Sequence, residues 1–191
     1  VVTTVVEHEA VLQSVDFLET LGCRTERLAV DRKGRISVAD LAAAVASNTA
    51  VVSVMMANNE TGTLFPVREI ADAVRAAAPR VLVHTDAVQA FVTEEVTATA
   101  LGVDMISLAA HKFGGPKGVG LLHVPRRIEL EPVIHGGGQE LGRRSGTHNV
   151  AAIVGMVAAM EATVAARSEA RSRIAAIRDE FEAKLIAAIP D

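Results

Sequence analysis

Residues 104–120 read DMISLAAHKFGGPKGVG, and they divide into three parts with different physical demands. Asp104 to Leu108 is an apolar run of strand length, Ala109 and Ala110 are small, and His111 and Lys112 then stand before Gly114, Gly115, Pro116, Gly118 and Gly120. The glycines and the proline disfavour any regular element after Lys112 and permit a tight turn. A lysine placed there is held by backbone geometry rather than at the end of a flexible surface helix, which suits an amine used for chemistry.

Outward from this stretch, strands alternate with helices. Val2 to Val6 is β-branched throughout, and from His8 to Leu21 the residues Ala10, Val11, Val15, Leu18 and Leu21 recur at helical spacing. Arg24 to Val30 reads as a short strand, and DRKGR is a turn whose Gly34 permits a positive φ. Ser37 is an N-cap candidate with Asp40 at the capping-box offset, ahead of a helix over Leu41 to Ala46.

Ala50 to Met55 (AVVSVM) has the near-continuous apolar character of a strand buried on both faces. NNETGT follows as a loop, and PVREIADAVRAAA reads as a helix with Pro66 in or near its first turn. Val81 to Thr85 is a strand ending at Asp86, and Asp104 to Leu108 and Val119 to Val124 are strands on either side of the glycine-rich turn. This alternation predicts an α/β fold, a mostly parallel sheet flanked by helices in three layers, α/β/α.

From Val150 an Ala-rich run of helical period extends almost to Asp191. The expected organisation is a ligand-binding domain over residues 1–150 and a long helix over 151–191 leading toward a further domain. Val1 stands where a Met would be, so a fragment of a longer protein is expected.

Composition narrows the function classes. Nineteen basic and 23 acidic residues are spread evenly for a net charge of -4, unlike the footprint of a nucleic-acid or anionic-membrane binder. Cys23 is the sole cysteine, so no internal disulfide forms; it follows Gly22 at the start of a predicted strand, where a small buried thiol is expected. Charge or glycine interrupts the apolar runs short of a membrane span, and no basic N-terminal region precedes one, so the expectation is a soluble, cytoplasmic protein.

In open α/β sheets, ligands bind at the carboxyl ends of the strands. His8, Asn59, Asp86, Gln89, His111 and Lys112 all fall at such ends. Each has a plain reading: His8 begins a helix, Asn58 and Asn59 form turns, Asp86 caps AVQAF, Gln89 is solvated and Lys112 is a surface lysine. Taken together they suit one chemistry. A lysine amine needs a carbonyl partner, and pyridoxal phosphate offers an aldehyde. That cofactor also needs a carboxylate at its pyridine nitrogen, a partner for its ring face, and donors for its phenolic oxygen and phosphate. Asp86, His8, Asn59 with Gln89, and His111 with the glycine-rich backbone supply these in turn.

EHEAVL, NNETGT, HTDAVQA, AAHKFGGPKGVG and RRSGTHNV, in this order, resemble the cysteine desulfurase and selenocysteine lyase group of the class V aminotransferase family. The resemblance implies a fold type I pyridoxal phosphate enzyme, normally a homodimer. Its members take sulfur from L-cysteine, release alanine and leave a persulfide for iron-sulfur cluster or other sulfur-dependent biosynthesis, with a sulfur-acceptor protein as a further partner.

Carried onto this chain, Lys112 matches the Schiff-base lysine and Asp86 the partner of the pyridine nitrogen. His8 matches the stacking histidine, which also assists proton transfer, Asn59 and Gln89 the groups at the phenolic oxygen, and His111 a phosphate ligand. Thr147 matches a threonine that reaches the phosphate of the neighbouring subunit. The family usually carries a serine three residues before the lysine, where this chain has Ala109. Its N-terminal phosphate-binding segment, its sulfur-accepting cysteine and its substrate-carboxylate arginine are expected outside residues 1–191. A selenocysteine lyase, another class V aminotransferase, and a non-catalytic dimerisation module are the alternatives.

Overall fold

The strands β1 (Val2–Thr4), β2 (Glu26–Leu28), β3 (Val51–Ser53), β4 (Leu82–Asp86), β5 (Met105–Ala109) and β6 (Gly120–His123) form one sheet in a computed structural model that describes residues 1–189. Their order is β2-β1-β3-β4-β5-β6. The first five run parallel, and β6 returns antiparallel to β5 with Gly120 opposite Ala109. The predicted α/β class is therefore observed, with one antiparallel edge strand made possible by the glycine-rich turn.

The helices are α1 (Glu9–Thr20), α2 (Val38–Ala44), α3 (Val67–Ala77), α4 (Ala98–Leu101) and α5 (Val150–Ala188). From β1 the chain steps outward to β2 and then back past β1 to β3, so right-handed crossovers put α1 on one face and α2 with α3 on the other. The starts of these helices follow sequence chemistry. Ala10 N–H donates to His8 Nδ1 (3.1 Å), Asp40 N–H donates to Ser37 Oγ (3.2 Å), and Pro66 occupies the N-cap of α3.

Strands are shorter than their apolar runs suggest. β1 ends at Thr4 because Val5 is exposed and the chain then turns inward to bury Glu7. Beyond β3 the chain stays buried through Val54, Met55, Met56 and Ala57, as expected for a run covered on both faces. β4 alternates instead: Val83 and Thr85 are buried, while Leu82, His84 and Asp86 share the half-buried face. Val52, Val83, Ile70, Ala71 and Val74 belong to the core between the sheet and α3, where each large aliphatic side chain contributes about 1.5–3 kcal/mol.

Asp104, buried just before β5, accepts from Val83 N–H (3.0 Å) and from Arg75 Nη2 (3.3 Å), and also pairs with Arg127. Two guanidinium partners and a backbone donor compensate the desolvation of this carboxylate.

The first half of α5 packs behind the glycine-rich turn. A Cβ at Gly155 would stand 2.8 Å from Pro116 Cγ, so the absence of a side chain is what lets helix and turn meet. Thr163 Oγ1 donates to the Phe113 carbonyl (3.3 Å), and Arg167 Nη2 donates to the Phe91 carbonyl (3.1 Å) with its guanidinium 5.2 Å from the Phe91 ring centroid. Further along, Ile174, Ile177, Phe181 and Leu185 are exposed.

One expectation fails here. By length and composition α5 is apolar enough to cross a membrane, whereas the sequence was expected to hold no such run. Gly155 and Glu161 interrupt the run without offsetting its Ala, Val and Met content. The helix nevertheless uses Ala152 and Met156 as buried packing residues.

Candidate active site

Because β1 and β3 are neighbours while the connections leaving them run to opposite sides, a crevice opens beyond their carboxyl ends. An open cleft of about 410 Å³ lies there, lined by Val5 to Glu9 and Leu12 after β1, Asn58 to Thr61 after β3, and Gly34.

His8 stands on this wall. Its Nδ1 is occupied by the capping bond from Ala10 N–H, so the neutral ring carries its proton on Nε2 and its orientation is fixed by its own helix. The plain reading, a helix-starting histidine, and the functional one are thus compatible.

The two asparagines divide the work. Asn58 Nδ2 donates to the Val6 carbonyl (2.9 Å) and its Oδ1 accepts from the backbone N–H groups of Glu60 and Thr61 (both 2.9 Å), so Asn58 builds the turn. Asn59 is exposed on the cleft wall.

Asp86 ends β4 between β3 and β5, and its Oδ1 accepts from Val88 N–H (2.9 Å) in an Asx-turn that leaves Oδ2 for a ligand. Gln89, half-buried, is the N-cap of the 3-10 turn Ala90–Val92. His111 and Lys112 sit in the next 3-10 turn, Ala110–Phe113, directly after β5. Ala110 and Phe113 are buried and anchor that turn, while His111 and Lys112 between them are exposed. Gly115 locks it: its N–H donates to the Ala110 carbonyl (2.8 Å), and a Cβ there would lie 2.9 Å from Ala110 Cβ.

The structure therefore brings His8, Asn59, Asp86, Gln89, His111 and Lys112 to one edge of four adjacent strands. Only His8 and Asn59 line the cleft itself. Thr147 stands apart, exposed in the loop before α5.

Two groups escaped sequence reasoning. Glu7 is 5 % exposed, and its Oε1 accepts from Met55 N–H (2.8 Å) and Thr4 Oγ1 (3.0 Å), while Oε2 is buried with no partner among the described residues. Burial pushes its carboxyl up to about 7, with the nearby Asp86 charge adding to the effect against the two hydrogen bonds. His84, two residues before Asp86, bridges Ser53 Oγ at Nδ1 (2.8 Å) and Ser107 Oγ at Nε2 (2.9 Å) across three strands. Burial holds its imidazole below the usual range, against the pull of Asp86. A glutamate beside the histidine in EHEAVL gave no signal of burial, because burial there depends on Met55, forty-eight residues away.

Cys23 departs from expectation. It is exposed, in the loop before β2, because that strand begins only at Glu26 and the segment from Gly22 to Arg24 lies on the surface. In a parallel sheet this places it at the amino ends of the strands, opposite the edge that holds Lys112.

The family model described as aminotransferase class-V matches residues 1–191. The chain is 43% identical over 190 residues to cysteine desulfurase NifS of Azotobacter vinelandii, covering 100% of this chain and 47% of that protein. It is 46% identical over 182 residues to a cysteine desulfurase of Bradyrhizobium diazoefficiens, covering 95% of this chain and 46% of that one. Among solved structures, a NifS-like protein superposes with a TM-score of 0.94 at 40% identity, covering 97% of this chain and 51% of its own. SspA in complex with cysteine superposes with a TM-score of 0.80 at 39% identity, covering 84% and 46%. The chain thus spans about half the length of the curated relatives it matches.

Proposed function

The chain belongs to the aminotransferase class-V family, and on that premise we propose that the whole protein is a cysteine desulfurase that removes sulfur from L-cysteine and releases alanine. The cofactor of this family is pyridoxal phosphate, and the observation that carries the reading is the placement of Lys112 and Asp86 at the ends of neighbouring strands β5 and β4. The residues fit the group. Asp86 keeps Oδ2 free of its own turn, and Lys112 is an exposed amine on a rigid support.

When bound, pyridoxal phosphate supplies an electron sink for charge that develops on the amino acid α-carbon. Lys112 Nζ would hold the cofactor through its aldehyde and, as a free amine, would accept the α-proton of L-cysteine. The Asp86 carboxylate holds a proton on the pyridine nitrogen. His8, its imidazole oriented by the bond from Ala10 N–H, would cover one face of the ring. Asn59 and Gln89 donate amide hydrogens to the phenolic oxygen, and His111 binds phosphate. Cys23 sits at the wrong edge to take the sulfur, so a different thiol receives it.

In this reading residues 1–150 form the cofactor-binding unit and α5 flanks it. The protein works as a cytoplasmic homodimer in which Thr147 reaches the partner subunit's phosphate site. The sulfur passes to an acceptor protein for iron-sulfur cluster assembly.

The test is the visible absorption of the full-length protein with added pyridoxal phosphate, followed by borohydride reduction and peptide mapping. The expected result is a band fixed by borohydride onto Lys112, lost in Lys112→Ala, with alanine formed from L-cysteine. Labelling at another lysine, or a band that survives Lys112→Ala, overturns the assignment.

A further inference from the structure

Glu7 is a buried ionisable group for which the proposed chemistry has no use. It leaves β1 three residues after Thr4, and its Oε1 joins the Thr4 hydroxyl (3.0 Å) to the Met55 N–H beyond β3 (2.8 Å). This one oxygen therefore ties together the two walls of the cleft, immediately before His8. The other oxygen, Oε2, lies buried without a partner among the described residues. An ionised carboxylate with one bare oxygen in an apolar enclosure is costly, and a proton on Oε2 removes most of that cost.

The surroundings determine how readily that proton leaves. β1 contributes Thr4 and the segment after β3 contributes a backbone amide, neither of them ionisable near neutrality. From β4 comes Asp86, whose negative charge disfavours a second one on Glu7. The exposed His8, Glu9 and Glu60 stand on the same cleft wall in water. No cation faces Glu7 among these groups, so burial chiefly holds the proton on Oε2 and the Asp86 charge adds a smaller share.

We propose that Glu7 is a positioning residue whose protonated carboxyl pins the His8-bearing loop to the end of β3 and whose proton is linked to the charge state of Asp86. Any ligand that places a positive charge on Asp86 lowers the cost of ionising Glu7. Linkage then requires that ionised Glu7 favours that ligand in return. Identifying the ligand with a protonated pyridine ring rests on the function proposed above; the clamp and its coupling to Asp86 do not.

The experiment is an infrared titration of the protonated-carboxyl stretch in the full-length, cofactor-free protein, taken as the difference between wild type and Glu7→Gln. Gln keeps an acceptor for Met55 N–H and Thr4 Oγ1 while removing the proton. The expected midpoint lies near 7, and in Asp86→Asn it moves down by a small part of its distance from 4.5, because burial remains. Saturating pyridoxal phosphate moves the wild-type midpoint in the same direction and leaves that of Asp86→Asn in place. A Glu7 signal that titrates at 4.5, or a midpoint that Asp86→Asn leaves in place, overturns the proposal. A midpoint that responds to Asp86→Asn but not to pyridoxal phosphate upholds the coupling and overturns the cofactor reading.

Discussion

The rings of Phe91 and Phe113 meet with centroids 4.9 Å apart and planes inclined at 56°, joining the turn after Gln89 to the turn that carries Lys112. Arg167 of α5 closes the same cluster from behind by stacking on Phe91. Two strand-end groups proposed to act on one cofactor are thus held by a shared aromatic contact rather than by touching each other. Phe91→Ala should cost about 3–5 kcal/mol, the range for removing a buried aromatic side chain. Thermal unfolding of the variant checks this, and an unchanged melting temperature would show that α5 rather than the ring pair secures the two turns.

Glu7 and His84 should leave opposite marks on stability against pH. Glu7 is raised in the folded state from 4.5 to about 7, so its contribution is fully present below 4.5 and is lost as pH rises through 7. The loss is on the order of 3 kcal/mol for a shift of this size in a buried group. His84 is lowered from 6.5, so its contribution is present above 6.5 and is lost as pH falls below that value. Because the two overlap, the useful quantity is the difference between wild type and Glu7→Gln in urea unfolding. It should shift against the wild type as pH climbs from 4.5 past 7, and parallel pH curves for the two proteins would mean that Glu7 titrates like an exposed carboxyl.

Much of this was legible before any coordinates, because the legible parts are set locally. The β-branched and apolar runs, the Ser37 cap and the Gly34 turn each depend on near neighbours in the chain, and each appears within the stretch the sequence assigns it, the strands trimmed at their ends. The strand-end rule then located Asp86 and Lys112 without knowledge of strand order. Glu7, the Ser53–His84–Ser107 bridge and the exposure of Cys23 stayed hidden because each depends on which strands lie side by side. His84 in particular reads as one polar residue in VLVHT until β3 and β5 bring a hydroxyl to each of its ring nitrogens.

Ala109 offers a test by gain rather than loss. Ser107 pairs with Asp86 across β4 and β5, and side chains two apart on a strand share a face, so Ala109 stands on the Asp86 face one step nearer the Lys112 turn. Its backbone is extended and its side chain half-buried, so serine fits without strain. The added hydroxyl supplies the donor that the wider family usually has at this position. Ala109→Ser in the full-length protein should tighten pyridoxal phosphate binding about 5- to 10-fold, the equivalent of about 1 kcal/mol for one hydrogen bond in a partly hydrated site. Pyridoxal, which lacks the phosphate, should bind both proteins equally. A gain for both ligands would place the hydroxyl against the ring, and a gain for neither would place the phosphate away from the end of β5.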